Sequence, residues 1–186
     1  KKAYNLLFLG RIDKDKGIVE LLNAIKELAK KQEYSIFLKI VGNGSFLPEA
    51  KQICKNLKIE DFVSFEGAVY DDNLKREYYL EADAYILPTY HEGFPRTLYE
   101  AMIFCTPIIT TFVGGIPALM KDGFNCLQIE TKSIESIVEK ADKLFANYEN
   151  IANVIAVNGR NTVEPVISKK RLTHGKDLNR ILNNVE

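Results

Sequence analysis

The sequence predicts an α/β protein: a doubly wound, Rossmann-like parallel sheet of about six strands with helices on both faces. Three observations point there. Short apolar runs alternate with segments of helical period along most of the chain. The connections between them are short, so each strand must reach the next through a crossover helix. Glycine or proline closes several of the apolar runs, as at Gly10, Gly42, Pro88 and Gly114.

Residues 4–9 (YNLLFL) read as a buried strand, and 17–31 as a helix with Ile18, Leu21, Leu22, Ile25 and Leu28 on one face. Residues 35–41 (SIFLKIV) form a second strand, closed by Gly42-Asn43-Gly44, and 46–57 a helix. A short strand at 62–65 leads to a helix at 74–81, then a strand at 84–87 (AYIL) stopped by Pro88. Pro95 suits the first turn of a helix over 95–104, whose stripe Leu98, Ala101, Met102 and Cys105 should face the sheet. Strands follow at 108–111 and 126–129, and a helix at 134–148. The remainder, 151–185, reads as helical with interruptions at Pro165 and Gly175. No repeat or linker divides the chain, so 1–186 is expected to be one domain with its core in 4–148 and terminal helices in 150–186.

The 186 residues carry 25 basic and 25 acidic side chains, so there is no basic excess to displace counterions, and a nucleic-acid partner is not expected. Basic groups concentrate in residues 1–31, eight against four acidic, and in 165–186, five against two. Cys54, Cys105 and Cys126 are odd in number and far apart, and so are His91 and His174. That spacing suits neither a zinc site nor a disulfide scaffold, so no metal is expected. Cys105 and Cys126 read as buried small hydrophobes in a reducing setting. With no signal-peptide layout and no apolar run near the ~18–20 residues of a span, a cytoplasmic location is expected.

In such sheets ligands lie at the carboxyl ends of the strands, so the loops after each strand are the places to look. The first, 10–17 (GRIDKDKG), is bracketed by Gly10 and Gly17 and sets Arg11 and Lys16 at the entry of a helix, a fixed cation pair suited to a diphosphate. It lacks the spacing of a Walker loop. The second is Gly42-Asn43-Gly44, a turn or small anion nest. The third, 91–101 (HEGFPRTLYEA), carries two carboxylates, Glu92 before the helix and Glu100 within it, ~200° around from Leu98 and so off the buried stripe. Paired carboxylates suit vicinal hydroxyls, while Gly93, Phe94 and Arg96 offer backbone amides to a phosphate. The fourth, 65–70 (FEGAVY), could wall a nucleobase with Val69 and Tyr70. Taken singly, each pattern also describes an ordinary turn or a charged surface loop.

Taken together, GRxxxxKG at 10–17, VGNG at 41–44, FxG at 65–67 and E-x7-E at 92–100 resemble the C-terminal, donor-binding half of the family 4 retaining glycosyltransferases of the GT-B fold. The resemblance covers roughly residues 4–148 and runs almost unbroken through EGFPRTLYEAMIFCTPIITTFVGGIPALMKDGFNCLQI. It implies a nucleotide diphosphate sugar as donor, UDP-linked first and GDP-linked second, no cofactor and no metal. It implies that Gly10, Arg11 and Lys16 hold the diphosphate and offset its charge as it leaves. Glu92 takes the transferred sugar's hydroxyls, and Glu100 the ribose hydroxyls. Gly93, Phe94, Pro95, Arg96 and Thr97 line the sugar and phosphates, and Gly42, Asn43, Gly44 and Val69 border the base. On that assignment, Glu92→Gln should spare the bare nucleotide and remove only the sugar's share of binding.

The pattern departs from the family at Pro95, where Gly is common, at Arg96, Thr97 and Tyr99, and at Phe104-Cys105, where Cys-Gly is frequent. The family also carries an N-terminal acceptor domain, for which these residues leave no room. The chain is therefore read as a donor domain that is inactive alone. Its acceptor would be a saccharide or a lipid-linked saccharide, the latter placing it at the inner membrane face. A sugar-nucleotide epimerase, a non-catalytic nucleotide-sugar-binding module and a receiver- or flavodoxin-like module are the competing readings. The receiver fits worst, because Gly10-Arg11 stands where an acidic cluster is needed.

Overall fold

A computed structural model of the chain describes residues 2–168. In chain order the elements are β1 (Lys2–Leu9), α1 (Ile18–Leu28), β2 (Tyr34–Val41), α2 (Leu47–Leu57), β3 (Val63–Gly67), α3 (Asp72–Glu81), β4 (Ala84–Leu87), α4 (Arg96–Ile103), β5 (Ile108–Thr111), β6 (Leu127–Ile129), α5 (Ile134–Ala146) and α6 (Tyr148–Ser168). The six strands form one parallel sheet in the order β3-β2-β1-β4-β5-β6. This is the doubly wound order, and its direction reverses between β1 and β4. The Rossmann-like expectation is met.

The sheet interior follows the sequence. Leu6, Leu7 and Phe8 of β1 and all four residues of β4 and of β5 are buried, as strands covered on both faces require. On one side α1 packs against α2 and α5; on the other α4 packs against α6. Helix α3 starts earlier than periodicity suggests, because Asp71 Oδ1 accepts a hydrogen bond from Leu74 N at 2.9 Å. At the amino ends of the strands, Tyr4 stacks on Phe145 at 4.5 Å and meets Tyr148 at 5.1 Å and Tyr34 at 5.8 Å. That cluster ties α5 and the start of α6 to the sheet.

Two expectations fail. Helix α6 is not interrupted at Pro165 but runs to Ser168. Proline removes one N–H, and the carbonyl it frees, on Asn161, belongs to an exposed residue that water can reach. The expected break at Gly175 lies outside the described residues. Cys105 is exposed, not buried. Helix α4 ends at Ile103 in a Schellman turn, with Cys105 N bonded to Met102 O at 3.3 Å and Thr106 N to Ala101 O at 2.9 Å. Cys105 takes the left-handed position of that turn (φ 56°), so it leaves the buried stripe formed by Leu98, Ala101 and Met102. The side chain of Arg160 in α6 completes the cap, donating to Ile103 O at 2.7 Å. Among the described residues no helix is long and apolar enough to cross a membrane.

Candidate functional site

The loops at the carboxyl ends of the strands are stitched into one rim. Gly10 N donates to Val41 O (3.0 Å), Ile12 N to Asn43 O (2.9 Å), Gly42 N to Gly67 O (2.7 Å), Tyr90 N to Asp15 O (2.8 Å) and Gly115 N to Gly93 O (2.7 Å). Two glycines make this approach possible. A Cβ on Gly42 (φ 147°) would lie 1.8 Å from Gly10 O, and one on Gly114 (φ 56°) 1.7 Å from Glu92 O. A side chain at either position would force two loops apart.

Over this rim lie two adjoining clefts, the first at the switch between β1 and β4 and the second over the ends of β1, β2 and β3. One, of ≈ 370 Å³, is bordered by Gly10, Arg11, Lys16, Glu92, Pro95, Arg96 and Thr97, with Phe8, Leu9 and Leu87 below. The other, of ≈ 340 Å³, is bordered by Val41, Gly42, Asn43, Ala68, Val69 and Tyr70. Leu9, Gly10 and Arg11 belong to both. Another hollow of ≈ 340 Å³, around Asn5, Phe37, Lys39 and Tyr78, is lined by none of these groups.

In the first cleft Lys16 is the fixed charge. A 3-10 turn over Lys14–Lys16, closed by Gly17 in the left-handed region, folds its side chain inward. Its Nζ lies 2.6 Å from Glu92 Oε1, with the two side chains 10% and 17% exposed. Thr89, wholly buried after β4, has its hydroxyl 3.4 Å from the same Oε1, 3.2 Å from His91 O and 3.3 Å from Asp15 O. Arg11 behaves differently. Its side chain is 76% exposed and pairs with Asp13 at 3.3 Å, so the expected fixed cation pair is one fixed and one solvent-borne cation. Asp13 in turn accepts from Ser45 N and Oγ, which lowers its pKa and binds the first loop to the second.

Helix α4 begins at Arg96 with no side-chain hydrogen bond from its N-cap Pro95, and its amino end lies at the cleft border formed by Pro95, Arg96 and Thr97. Thr97 Oγ1 accepts from Tyr85 at 2.7 Å, which sets its rotamer at the cleft wall. Glu100 sits one turn deeper. It is buried, accepts from Tyr79 Oη at 2.9 Å, and borders neither cleft. Burial raises its pKa, with the Tyr79 hydrogen bond and the nearby Lys75 and Arg96 opposing. Gly93 and Phe94 do not border the clefts; Gly93 O anchors Gly115, and Phe94 packs on Tyr99 at 4.5 Å. Gly44 lies behind the second cleft, close under Ile12 O. His91 is exposed at the rim.

Sequence reasoning overlooked Thr89, Tyr79 and Tyr85. The available signal was Thr89 itself, a hydroxyl directly after a buried strand that ends at the ligand-bearing edge. The tyrosines gave none, since a buried tyrosine in a helix or strand looks like core until its hydroxyl's partner is known. Among the described residues no group of three or more His, Cys, Asp or Glu side chains is placed to hold a metal ion.

A family model described as Glycosyl transferases group 1 matches residues 1–162. The capsular polysaccharide biosynthesis glycosyltransferase CapM of Staphylococcus aureus is 29% identical over 174 residues, which is 88% of this chain and 42% of that protein. The solved C-terminal domain of the group 1 glycosyl transferase LpcC from Francisella tularensis superposes with a TM-score of 0.76 at 28% identity, covering 86% of this chain and 84% of that one. Anabaena HepE, solved with UDP and glucose, superposes at 0.77 with 19% identity over 98% of this chain and 49% of its own, a likeness of fold. The chain spans about two fifths of the length of the curated relatives it matches.

Proposed function

The chain belongs to the glycosyl transferases of group 1, and from that premise we propose that it is the donor-binding half of a retaining glycosyltransferase. It holds a nucleotide diphosphate sugar while the sugar passes to a saccharide or lipid-linked acceptor carried by an N-terminal acceptor domain. Polysaccharide or glycoconjugate synthesis is the setting, consistent with CapM.

One observation carries the reading. A cleft lined by Lys16 and Glu92 adjoins one that, among the described residues, carries no formal charge beyond the shared Arg11, and the two meet at Gly10 and Arg11. A nucleotide diphosphate sugar has the same division: an aromatic base at one end, two phosphates in the middle, a polyhydroxyl ring at the other. In this placement the base lies between Gly42, Asn43 and Val69, with Gly44 supporting the turn. The diphosphate crosses Gly10 to Arg11, Lys16 and the amino end of α4 at Arg96 and Thr97. Glu92 meets the sugar hydroxyls across from Pro95, with Gly93 and Phe94 shaping its loop. Glu100 reads the ribose from beneath, the Tyr79 hydroxyl fixing its carboxylate. When the bond from the anomeric carbon to the diphosphate oxygen breaks, negative charge grows on that oxygen. Lys16, exchanging Glu92 for the phosphate, Arg11, brought in from solvent, and the amino end of α4 offset it. UDP is the first donor nucleotide to test, as in HepE, and GDP the second. A lipid-linked acceptor would bring the chain to the inner membrane face.

A thermal-shift panel of UDP, GDP and ADP with their sugars tests this directly. Ligand at about 100 times its dissociation constant should add ~2.7 kcal/mol of stability. A melting point unmoved by every nucleoside diphosphate at millimolar concentration would sink the proposal.

A further inference from the structure

Lys16 already has an anion in the empty cleft. Glu92 Oε1 lies 2.6 Å from its Nζ, His91 O lies at 3.5 Å and Asp15 Oδ2 at 3.6 Å. An ammonium has three hydrogens to give, and three acceptor groups surround this one. The same Oε1 is approached at 3.4 Å by the hydroxyl of Thr89, whose backbone is fixed by Thr111 Oγ1 donating to Thr89 O at 2.7 Å. The main chain at Glu92 is fixed as well, with Gly114 closed against its carbonyl and Gly115 N bonded to Gly93 O. Arg11 also has an anion, Asp13 at 3.3 Å, but its side chain is 76% exposed, so that pair is formed largely in water.

We infer that Glu92 is the resident counter-ion of Lys16, and that a diphosphate and Glu92 compete for one ammonium. The inference rests on the donor-cleft reading above and adds a specificity function to it. A nucleotide sugar brings hydroxyls that can hydrogen-bond the displaced carboxylate. A bare nucleoside diphosphate has hydroxyls only on its ribose, away from Glu92, and it leaves Glu92 charged and unpaired beside an anionic phosphate. Glu92 therefore favours the intact donor over the product that shares its nucleotide. Once the sugar has left, Glu92 returns to Lys16 and helps to expel that product. The expectation that Glu92→Gln spares the bare nucleotide is thereby changed: it should strengthen its binding.

Calorimetry with UDP and GDP on the wild-type chain, Glu92→Gln, Glu92→Ala, Lys16→Ala and the Lys16→Ala/Glu92→Gln double variant tests this. Both Glu92 variants should bind the favoured nucleotide about three- to tenfold more tightly, the worth of a partly buried ion pair. The gain should vanish when Glu92→Gln is made in the Lys16→Ala background. If Lys16→Ala weakens the nucleotide but neither Glu92 variant tightens it, the counter-ion inference is wrong and the diphosphate site stands. If Lys16→Ala binds as the wild type does, Lys16 does not meet the diphosphate, and the placement falls together with the inference.

Discussion

The half of the cleft over β1, β4 and α4 is built from charge, whereas the half over β2 and β3 is built from backbone. In the first, Lys16, Glu92, Arg11 and Asp13 are paired among themselves. In the second, Val41, Gly42, Asn43, Ala68, Val69 and Tyr70 present no formal charge, and among the described residues the shared Arg11 at its border is the one charge that lines it. The difference teaches how each half can be ready without a ligand. A charged site must cancel its own field, because an unpaired ion away from water is costly. A backbone-lined site has only to keep its shape, which the Gly10–Val41 and Gly42–Gly67 hydrogen bonds do. Selectivity in the first half therefore comes from competition for partners, and in the second from steric fit.

The strongest way to break this contrast is to attack the backbone of both halves equally. Gly114→Ala sets a Cβ against Glu92 O, and Gly42→Ala sets one against Gly10 O. Each should cost about 2–4 kcal/mol, read from urea denaturation, because a left-handed or otherwise forbidden backbone is combined with a main-chain clash. Nucleotide binding should be lost with either. If one were tolerated to within about 0.5 kcal/mol, the rim on that side would be looser than the hydrogen bonds indicate.

Lys16→Ala sharpens the contrast next. It should weaken UDP or GDP about tenfold or more, as expected for losing a charged hydrogen bond, and leave the corresponding nucleoside unaffected. Equal loss for nucleotide and nucleoside would move Lys16 away from the phosphates.

Glu100→Gln should weaken nucleotide and nucleotide sugar alike, also about tenfold, if Glu100 reads the ribose. Its effect on stability has a definite sign. Burial raises the folded-state pKa of Glu100 above its unfolded value. Above the folded pKa the charged carboxylate therefore costs stability, and that cost is relieved as pH falls through the folded pKa toward the unfolded one. The Gln variant, which still accepts from Tyr79, should lack this relief on acidification. A pH series of urea midpoints that runs parallel for both proteins would show that Glu100 is not desolvated.

The smallest expected effect belongs to the neutral half. Tyr70 is 85% exposed at the edge of its cleft. Tyr70→Ala should weaken the nucleotide about fivefold through lost stacking on the base, with no change in salt dependence. A changed salt dependence would mean that the neutral half feels the charges next to it.

The sheet was legible because each strand is a near-continuous apolar run and each helix keeps its period. The residues around the charged cleft were legible as types, since Arg11, Lys16 and Glu92 sit in loops where charge has no structural need. Their pairing was not. Lys16 and Glu92 are far apart in sequence, and only the order of β1 beside β4 brings their loops together. Cys105 was misplaced because α4 stops at Ile103, two residues before its apolar stripe does, and a Schellman turn at a cysteine leaves no sequence mark where glycine would have. Pro165 misled for the opposite reason: its signal is strong, but the carbonyl it leaves without an N–H, on Asn161, belongs to an exposed residue, so the loss is easily tolerated.

The central place of β1 has a consequence for synthesis. Its two neighbours, β2 and β4, arrive at different times as the chain leaves the ribosome, and β4 comes only after α2, β3 and α3. Until then one edge of β1, with Leu6 and Leu7, is an unpaired apolar template of the kind that recruits other chains. Residues 84–87 close it, and in the same step they bring the Thr89 and Glu92 loop against Lys16. A nascent chain halted before residue 84 should therefore be the species that most needs a chaperone. One halted beyond 115 should already carry the rim.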